Sequence, residues 1–264
     1  MSQLKLKLEC QDKRGITHQF ALQKPLSISR ELHPNDPSEN SNAFDLPSLS
    51  AETFAVDGFV GDVQQGGSCN VDVLSYCPHG MTHIETSAHV LADGPMINAI
   101  PNNRFSGLAY IADLSHLGQK GLIAEETVRP ILDSIDLPIN VFLIKTASSL
   151  LPASTDFQGR DFIALSPETA RALNRHNTNG QILALLTDLP SLDPETNPDL
   201  PAHRAFFGIP AKGFEGKDEE LRVVVELAYL PHLSQGYYYA CFPPPRVESN
   251  ATKTDVLLFP LEEC

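Results

Sequence analysis

Between Cys77 and Gly94 the chain reads CPHGMTHIETSAHVLADG, which places His79, His83, Glu85 and His89 within eleven positions. Imidazole and carboxylate are the common protein ligands of zinc, manganese and iron, so the pattern points to a metal centre. A polar strand face open to solvent is the other reading of the same residues. A helix does not serve here. His79 and His83 would share a face, but Glu85 and His89 would point elsewhere, and Pro78, Gly80, Thr82, Ile84 and Thr86 all oppose regular helix. The helical HExxH arrangement of zinc peptidases is therefore excluded. In an extended segment His83, Glu85, Ser87 and His89 alternate onto one side. Gly80 permits a turn that brings His79 to the same ion. His89 then stands further along that face, near the ion, where a proton-transfer group is useful.

A metal needs further ligands from distant parts of the chain. DLPAHRAFF offers His203, just before an apolar stretch, and RVVVELAYL offers Glu226 inside an apolar run. A carboxylate buried in such a run requires a partner, and a metal is one. The alternative is that Arg222, Glu226 and Ala228 share a solvent face while Val223, Val225, Leu227 and Tyr229 pack inward.

The elements that must position these residues are mixed. LKLKLEC and HQFALQ read as a hairpin around the turn DKRG. Residues 31–53, rich in Pro, Ser, Asn and Asp, read as a long polar loop within one domain spanning residues 1–264. A turn at Gly66-Gly67 precedes a strand around Val71 to Tyr76, and LAYIADLSHLG contains another. INVFLIKT and QILALLTDLPSLD read as buried strands, and RVVVELAYL, YYYACFP and TDVLLFP as late strands. AEETVRPILDSI has helical spacing with acidic residues in its first turn. SPETARALNRHNTNG is the clearest helix, with Ser166 as N-cap, Pro167 at the first position and Gly180 past the end. The fold class is α/β, rich in β-structure.

A net charge of −14 argues against nucleic acid and anionic membrane surfaces as partners; the expected partner is a small-molecule substrate. The five cysteines form no CxxC pair and are odd in number, so neither a disulfide framework nor a zinc knuckle is expected. The first residues lack the continuous apolar core of a signal peptide, and no apolar run approaches membrane-spanning length. A reduced, cytoplasmic protein is expected.

In HGMTHIETSAH, followed by TDLPSLDPETNPDLPAHR and VELAYL, the chain resembles the putative cyclase family, which includes bacterial kynurenine formamidase and isatin hydrolase. The resemblance, to HxGTHxDxPxH and a distant His and Glu, runs from about Leu74 to Pro260. Glu85 stands at the motif's aspartate, and Gly80-Met81 and Ser87 depart from it. The resemblance implies a swivelling β/β/α domain, a homo-oligomer, and one or two divalent ions, zinc or manganese. It implies that His79, His83 and Glu85 hold the first ion, that Glu85, His203 and Glu226 hold a second with Glu85 bridging, and that His89 is the general acid/base.

The reaction so implied is hydrolysis of a small amide, formamide or lactam by metal-activated water. Two other readings stay open. His83, Glu85 and His203 imitate the two-histidine, one-carboxylate triad of non-haem iron oxygenases, although this leaves His79 and Glu226 without a role. The altered motif also allows a family member that binds metal or ligand without turnover. In and next to the polar loop, His33, Phe44 and Phe54 are candidates for substrate contact, with a packing or merely exposed role as the alternative for each. Cys77 and Cys241 read as inert thiols, and the run GKDEE around Asp218 as a solvated loop.

Overall fold

The computed structural model describes residues 7–12, 14–178, 180–210 and 218–262. The expected N-terminal hairpin is β1 (Lys7–Gln11) against β2 (Thr17–Ala21), with Cys10 opposite His18. Leu4 to Leu6 of that prediction lie outside the described residues. Asp12 closes the turn by accepting hydrogen bonds from the backbone N–H groups of Arg14 and Ile16, both 2.9 Å. β3 (Leu26–Ser27) follows. The polar loop carries no α-helix or strand up to Leu49, but its last residues form β4 (Ser50–Thr53), paired with β7 (Asp72–Ser75). Between them β5 (Ala55–Val56) and β6 (Phe59–Val60) make a small hairpin.

The remaining strands are β8 (His83–Thr86), β9 (Ser106–Asp113), β10 (Gly121–Ile123), β11 (Val141–Lys145), β12 (Ile163–Leu165), β13 (Ala184–Thr187), β14 (Val223–Glu226), β15 (Gly236–Cys241), β16 (Ala251–Lys253) and β17 (Leu257–Glu262). Among the described residues, eleven strands form one sheet in the order β1-β2-β17-β15-β9-β11-β13-β14-β8-β16, with β3 also on β17. Its centre, β9-β11-β13-β14, is parallel, whereas β15 and β8 flank it antiparallel. Parallel centres are covered on both faces, which is why Val141 to Ile144 of β11 are apolar without alternation and the strand is buried throughout. Phe142 and Ile144 pack with the helices, while Val141 and Leu143 pack with Phe105 and Phe242 on the other face.

The same burial settles β14. Val223 to Glu226 are all buried, as are Arg222 and Ala228, so the solvent-face alternative for Glu226 is excluded. β14 lies between β13 and β8, so neither of its faces nor its edges meets water.

Among the described residues, three helices cover one face: α1 (Glu125–Ser134), α2 (Pro167–Arg175) and α3 (Pro201–Phe207). Ser166 caps α2 as expected, accepting from the Thr169 N–H at 3.1 Å. The expected end of α2 needs correction. The helix stops at Arg175, with His176 extended, and Gly180 serves a close approach instead: a Cβ there would lie 2.1 Å from the Ile139 carbonyl oxygen. The acidic run is also corrected. Gly216 and Lys217 lie outside the described residues, but Asp218 is buried and accepts from the Leu221 N–H at 3.0 Å. Among the described residues, no helix is long and apolar enough to cross a membrane.

Candidate metal centre

Antiparallel pairing of β8 with β14 sets His83 opposite Glu226 and Glu85 opposite Val224. Residues opposite one another share a face, and side chains alternate along a strand, so His83, Glu85 and Glu226 leave the sheet on the same side as Val224. That is the side covered by the helices. α3 brings the next ligand to this face. Phe206 and Phe207 are buried there, each worth about 1.5–3 kcal/mol, and the Asn174 side-chain amide donates to the Phe206 carbonyl at 2.7 Å. These contacts seat the helix with His203, near its N-terminus, over the strand end.

His203 Nε2 lies 2.9 Å from Glu85 Oε1 and 3.2 Å from Glu226 Oε1. His83 Nε2 lies 3.5 Å from Glu226 Oε2 and 3.8 Å from Glu85 Oε2. His79 Nδ1 is 3.6 Å and His89 Nε2 3.8 Å from Glu85 Oε2. All six sequence-derived residues therefore converge, with Glu85 at the middle. Two sets have ligand atoms within 4.8 Å of one another: His79, His83 and Glu85, and Glu85, His89 and His203.

His89 arrives by a route the sequence reading did not foresee. Continued extension would carry it roughly 13 Å beyond Glu85 at the usual strand rise. Instead β8 ends at Thr86, whose hydroxyl accepts from the Ala88 N–H, and Ser87–His89 form a 3-10 turn. The turn folds His89 back against His79, ring centroids 4.7 Å apart, and takes Ser87 off the shared face. Gly80 is corrected too. His79 sits in a 3-10 turn, Pro78–Gly80, that does not need a left-handed glycine.

The donor set fits a divalent cation. His83 Nδ1 is 2.9 Å from the Met81 carbonyl and His203 Nδ1 is 2.7 Å from Asp193 Oδ2, so both Nδ1 atoms carry the proton. Each Nε2 then turns a lone pair toward carboxylate oxygens. Both Nε2 atoms and both oxygens of Glu85 are buried without a hydrogen-bond partner. Lone pairs facing carboxylates in a dry interior are held together by positive charge between them.

Without metal, protons must supply that charge. Burial works against the charged form of His203, but Glu85 and Glu226 hold its pKa well above the ordinary value. Burial likewise opposes ionisation of Glu85, yet His89 and His203 hold it well below the usual carboxylate range. His79 is different. Burial, with His83 beside it, lowers it to about 3, so it is neutral at pH 7 and ready to coordinate.

Asp193 escaped the sequence reading. Besides His203 Nδ1 it accepts the backbone N–H groups of Ala202 at 2.7 Å and His203 at 3.0 Å, so it orients both the ring and the start of α3. Its only sequence signal is its place in the SLDPETNP run, nine residues before Ala202. Asp193→Asn is expected to weaken metal binding roughly 10–100-fold, as loss of a histidine-orienting carboxylate does. Calorimetric titration with zinc or manganese checks this. Arg30 and Thr82 were also missed. The Arg30 Nε–H and the Thr82 hydroxyl both donate to the Leu227 carbonyl, at 3.1 and 2.7 Å, tying β8 to the bend after Glu226.

A cavity of about 260 Å³ opens beside His79, His89 and Glu226. Phe44 lines it, as do Leu46, Pro194, Pro198 and Leu200. Phe44 and Leu200 both hold left-handed backbone, at φ 59° and 48°, and Leu227 after Glu226 does the same at 55°. Such conformations cost about 1–3 kcal/mol each and persist where the surroundings enforce them, which here is around the site. Of the other loop candidates, His33 lines a separate cavity with Arg30 and Tyr229, and Phe54 is exposed near Phe59. Cys77 and Cys241 are free thiols.

A sequence profile described as putative cyclase matches residues 16–194. Kynurenine formamidase of Salinibacter ruber is 28% identical over 159 residues, covering 56% of this chain. The matched region spans about 65% of that relative's length. Among solved structures, isatin hydrolase A from Labrenzia aggregata superposes with a TM-score of 0.68 at 14% identity, over 90% of this chain and 94% of that one. A potential metal-dependent hydrolase with cyclase activity superposes with a TM-score of 0.66 at 19% identity, over 91% and 99%. The structural likenesses establish a shared mixed α/β, sheet-rich fold. The profile match spans more than half of the sequence and includes the His79–His89 motif, and on that ground the chain belongs to the putative cyclase family.

Proposed function

We propose that this protein is a divalent-metal-dependent amidohydrolase that cleaves the C–N bond of a small amide, formamide or lactam. One observation carries the reading. Three segments far apart in sequence, around His83, His203 and Glu226, deliver nitrogen and oxygen atoms to one buried point, and four of these atoms have no hydrogen-bond partner. The relative named a formamidase and the neighbour named a hydrolase support the reaction class.

His79, His83, Glu85, His203 and Glu226 would hold one or two ions, zinc or manganese. A divalent ion bound there lowers the pKa of water and withdraws charge from the scissile carbonyl. The chain's residues do the rest. Asp193 and the Met81 carbonyl fix the tautomers of His203 and His83, leaving Nε2 free on each. Glu226 is held by the Leu192 N–H at 2.6 Å. His89 borders the cavity and is the side chain placed to take a proton from water and return it to the leaving nitrogen. A reduced cytoplasmic setting and a homo-oligomer complete the proposal.

Elemental mass spectrometry of the purified protein, beside turnover of formanilides and small lactams, tests it. Near one or two zinc or manganese ions per chain with turnover is the expected result. Iron with oxygen uptake would move the reading to an oxygenase. Full metal loading without turnover across the panel would leave a binder.

A further inference from the structure

We infer that the substrate is a small neutral or cationic carbonyl compound, and that the pocket discriminates against anionic groups on the part of the substrate remote from the scissile bond. The inference rests on the hydrolase reading for its chemistry and on the cavity for its selectivity.

The cavity, about 260 Å³, lies just below the size usual for drug-like ligands and suits a single ring with a short substituent. One wall is chemical, made by His79, His89 and Glu226. The apolar part of the lining is made by Phe44, Leu46, Pro194, Pro198 and Leu200. One of these residues has its ring pinned by its surroundings. Phe44 stands edge-on to Phe162 at 6.5 Å and packs on the buried cluster of Ala43, Phe157 and Leu227. A substrate whose carbonyl meets the chemical wall has this apolar lining available for its remote end.

Away from the ions that His79 and Glu226 would help to hold, the chain's own carboxylates set the charge of the lining. Apart from the two histidines, the ionisable side chains lining the cavity are Asp193, Glu195 and Glu226. No lysine or arginine lines it among the described residues. An anionic substituent there would lose its water and gain no lysine or arginine, only the neutral donors of Ser191 and Asn197, beside like-charged carboxylates, a cost that a neutral or cationic one avoids. The net charge of −14 acts in the same sense at long range, repelling anions during approach. The amide, formamide or lactam C–N bond breaks, a C–O bond forms from water, and the water's proton goes to nitrogen. For a formanilide the products are the arylamine and formic acid, which gives up the second proton to solvent as formate.

The test uses the metal-loaded full chain and two formanilides of nearly equal shape. One carries a para methylsulfonyl group and the other a para sulfonate, so they differ by one negative charge. The neutral compound is expected to show kcat/KM at least about tenfold higher, the scale of one unpaired desolvated charge. Leu46→Lys places a cation on the apolar wall and is expected to shrink that ratio at least about fivefold, a comparison in which the intrinsic reactivities of the two compounds cancel. Equal or better hydrolysis of the sulfonate by the natural chain overturns the inference, as does a ratio indifferent to Leu46→Lys. If neither compound is hydrolysed, calorimetric binding decides. Tighter binding of the neutral compound keeps the selectivity and removes the hydrolase reading, whereas equal binding, tighter binding of the sulfonate, or no binding of either removes the selectivity itself.

Discussion

His89→Ala is expected to lower turnover about 10²–10⁴-fold while leaving bound metal unchanged, the range for removal of a general acid/base. The geometry separates His89 from His83 and His203. His83 and His203 are fully enclosed and have one ring nitrogen fixed by a buried acceptor. His89 keeps a quarter of its side chain exposed, at the cavity edge, 3.8 Å from Glu85 and 5.6 Å between ring centroids from His203. A group that must exchange protons with water and substrate needs such access, and a ligand does not. Yet His89 also belongs to one of the two clusters able to hold an ion. Metal analysis of the variant separates the roles. Loss of one ion together with activity would make His89 a ligand and sink its assignment as acid/base. Retained turnover would sink both.

Glu85→Gln is expected to abolish metal loading, because Glu85 alone approaches all four histidines of the site. The substitution keeps shape and removes charge. The loss of affinity should exceed the roughly 10–100-fold seen when only a supporting carboxylate is removed. Thermal unfolding gives a second readout. Metal at a hundred times its Kd stabilises a binding-competent fold by about 2.7 kcal/mol. The natural chain should therefore melt several degrees higher with zinc or manganese, and the Glu85→Gln protein should show no such rise. A variant that still loads one equivalent tightly would show that Glu85 is an ion-pair partner rather than a ligand.

Much of this arrangement was legible before folding was considered. His79, His83, Glu85 and His89 are close in sequence, and short-range spacing limits where they can point. The strand reading of INVFLIKT held because a run of apolar residues bounded by turn signals has few other uses. The cap at Ser166 held because it is satisfied within one helical turn. Readings failed where the deciding contact was distant. Glu226 could be placed on a wet or a dry face until β8 was known to lie beside β14. Asp218 looked solvated within an acidic run, but it is buried and closes a local turn. The run DLPAHRAFF was read as the site of His203 and not as a helix, although Pro201 and Gly208 mark its two ends.

The sequence by itself determined the donor types, the period-two segment that carries His83 and Glu85, and the family, because these depend on residue identity and on neighbours a few positions away. Only the tertiary structure decided that Glu226 faces His83, that Asp193 orients His203, that a 3-10 turn folds His89 back, and that Phe44 walls the cavity. Each of those contacts joins residues through strand register, helix docking or backbone reversal. Their free energy comes from burying surfaces that meet only once the whole sheet is closed on both faces, so no local window of the chain contains it.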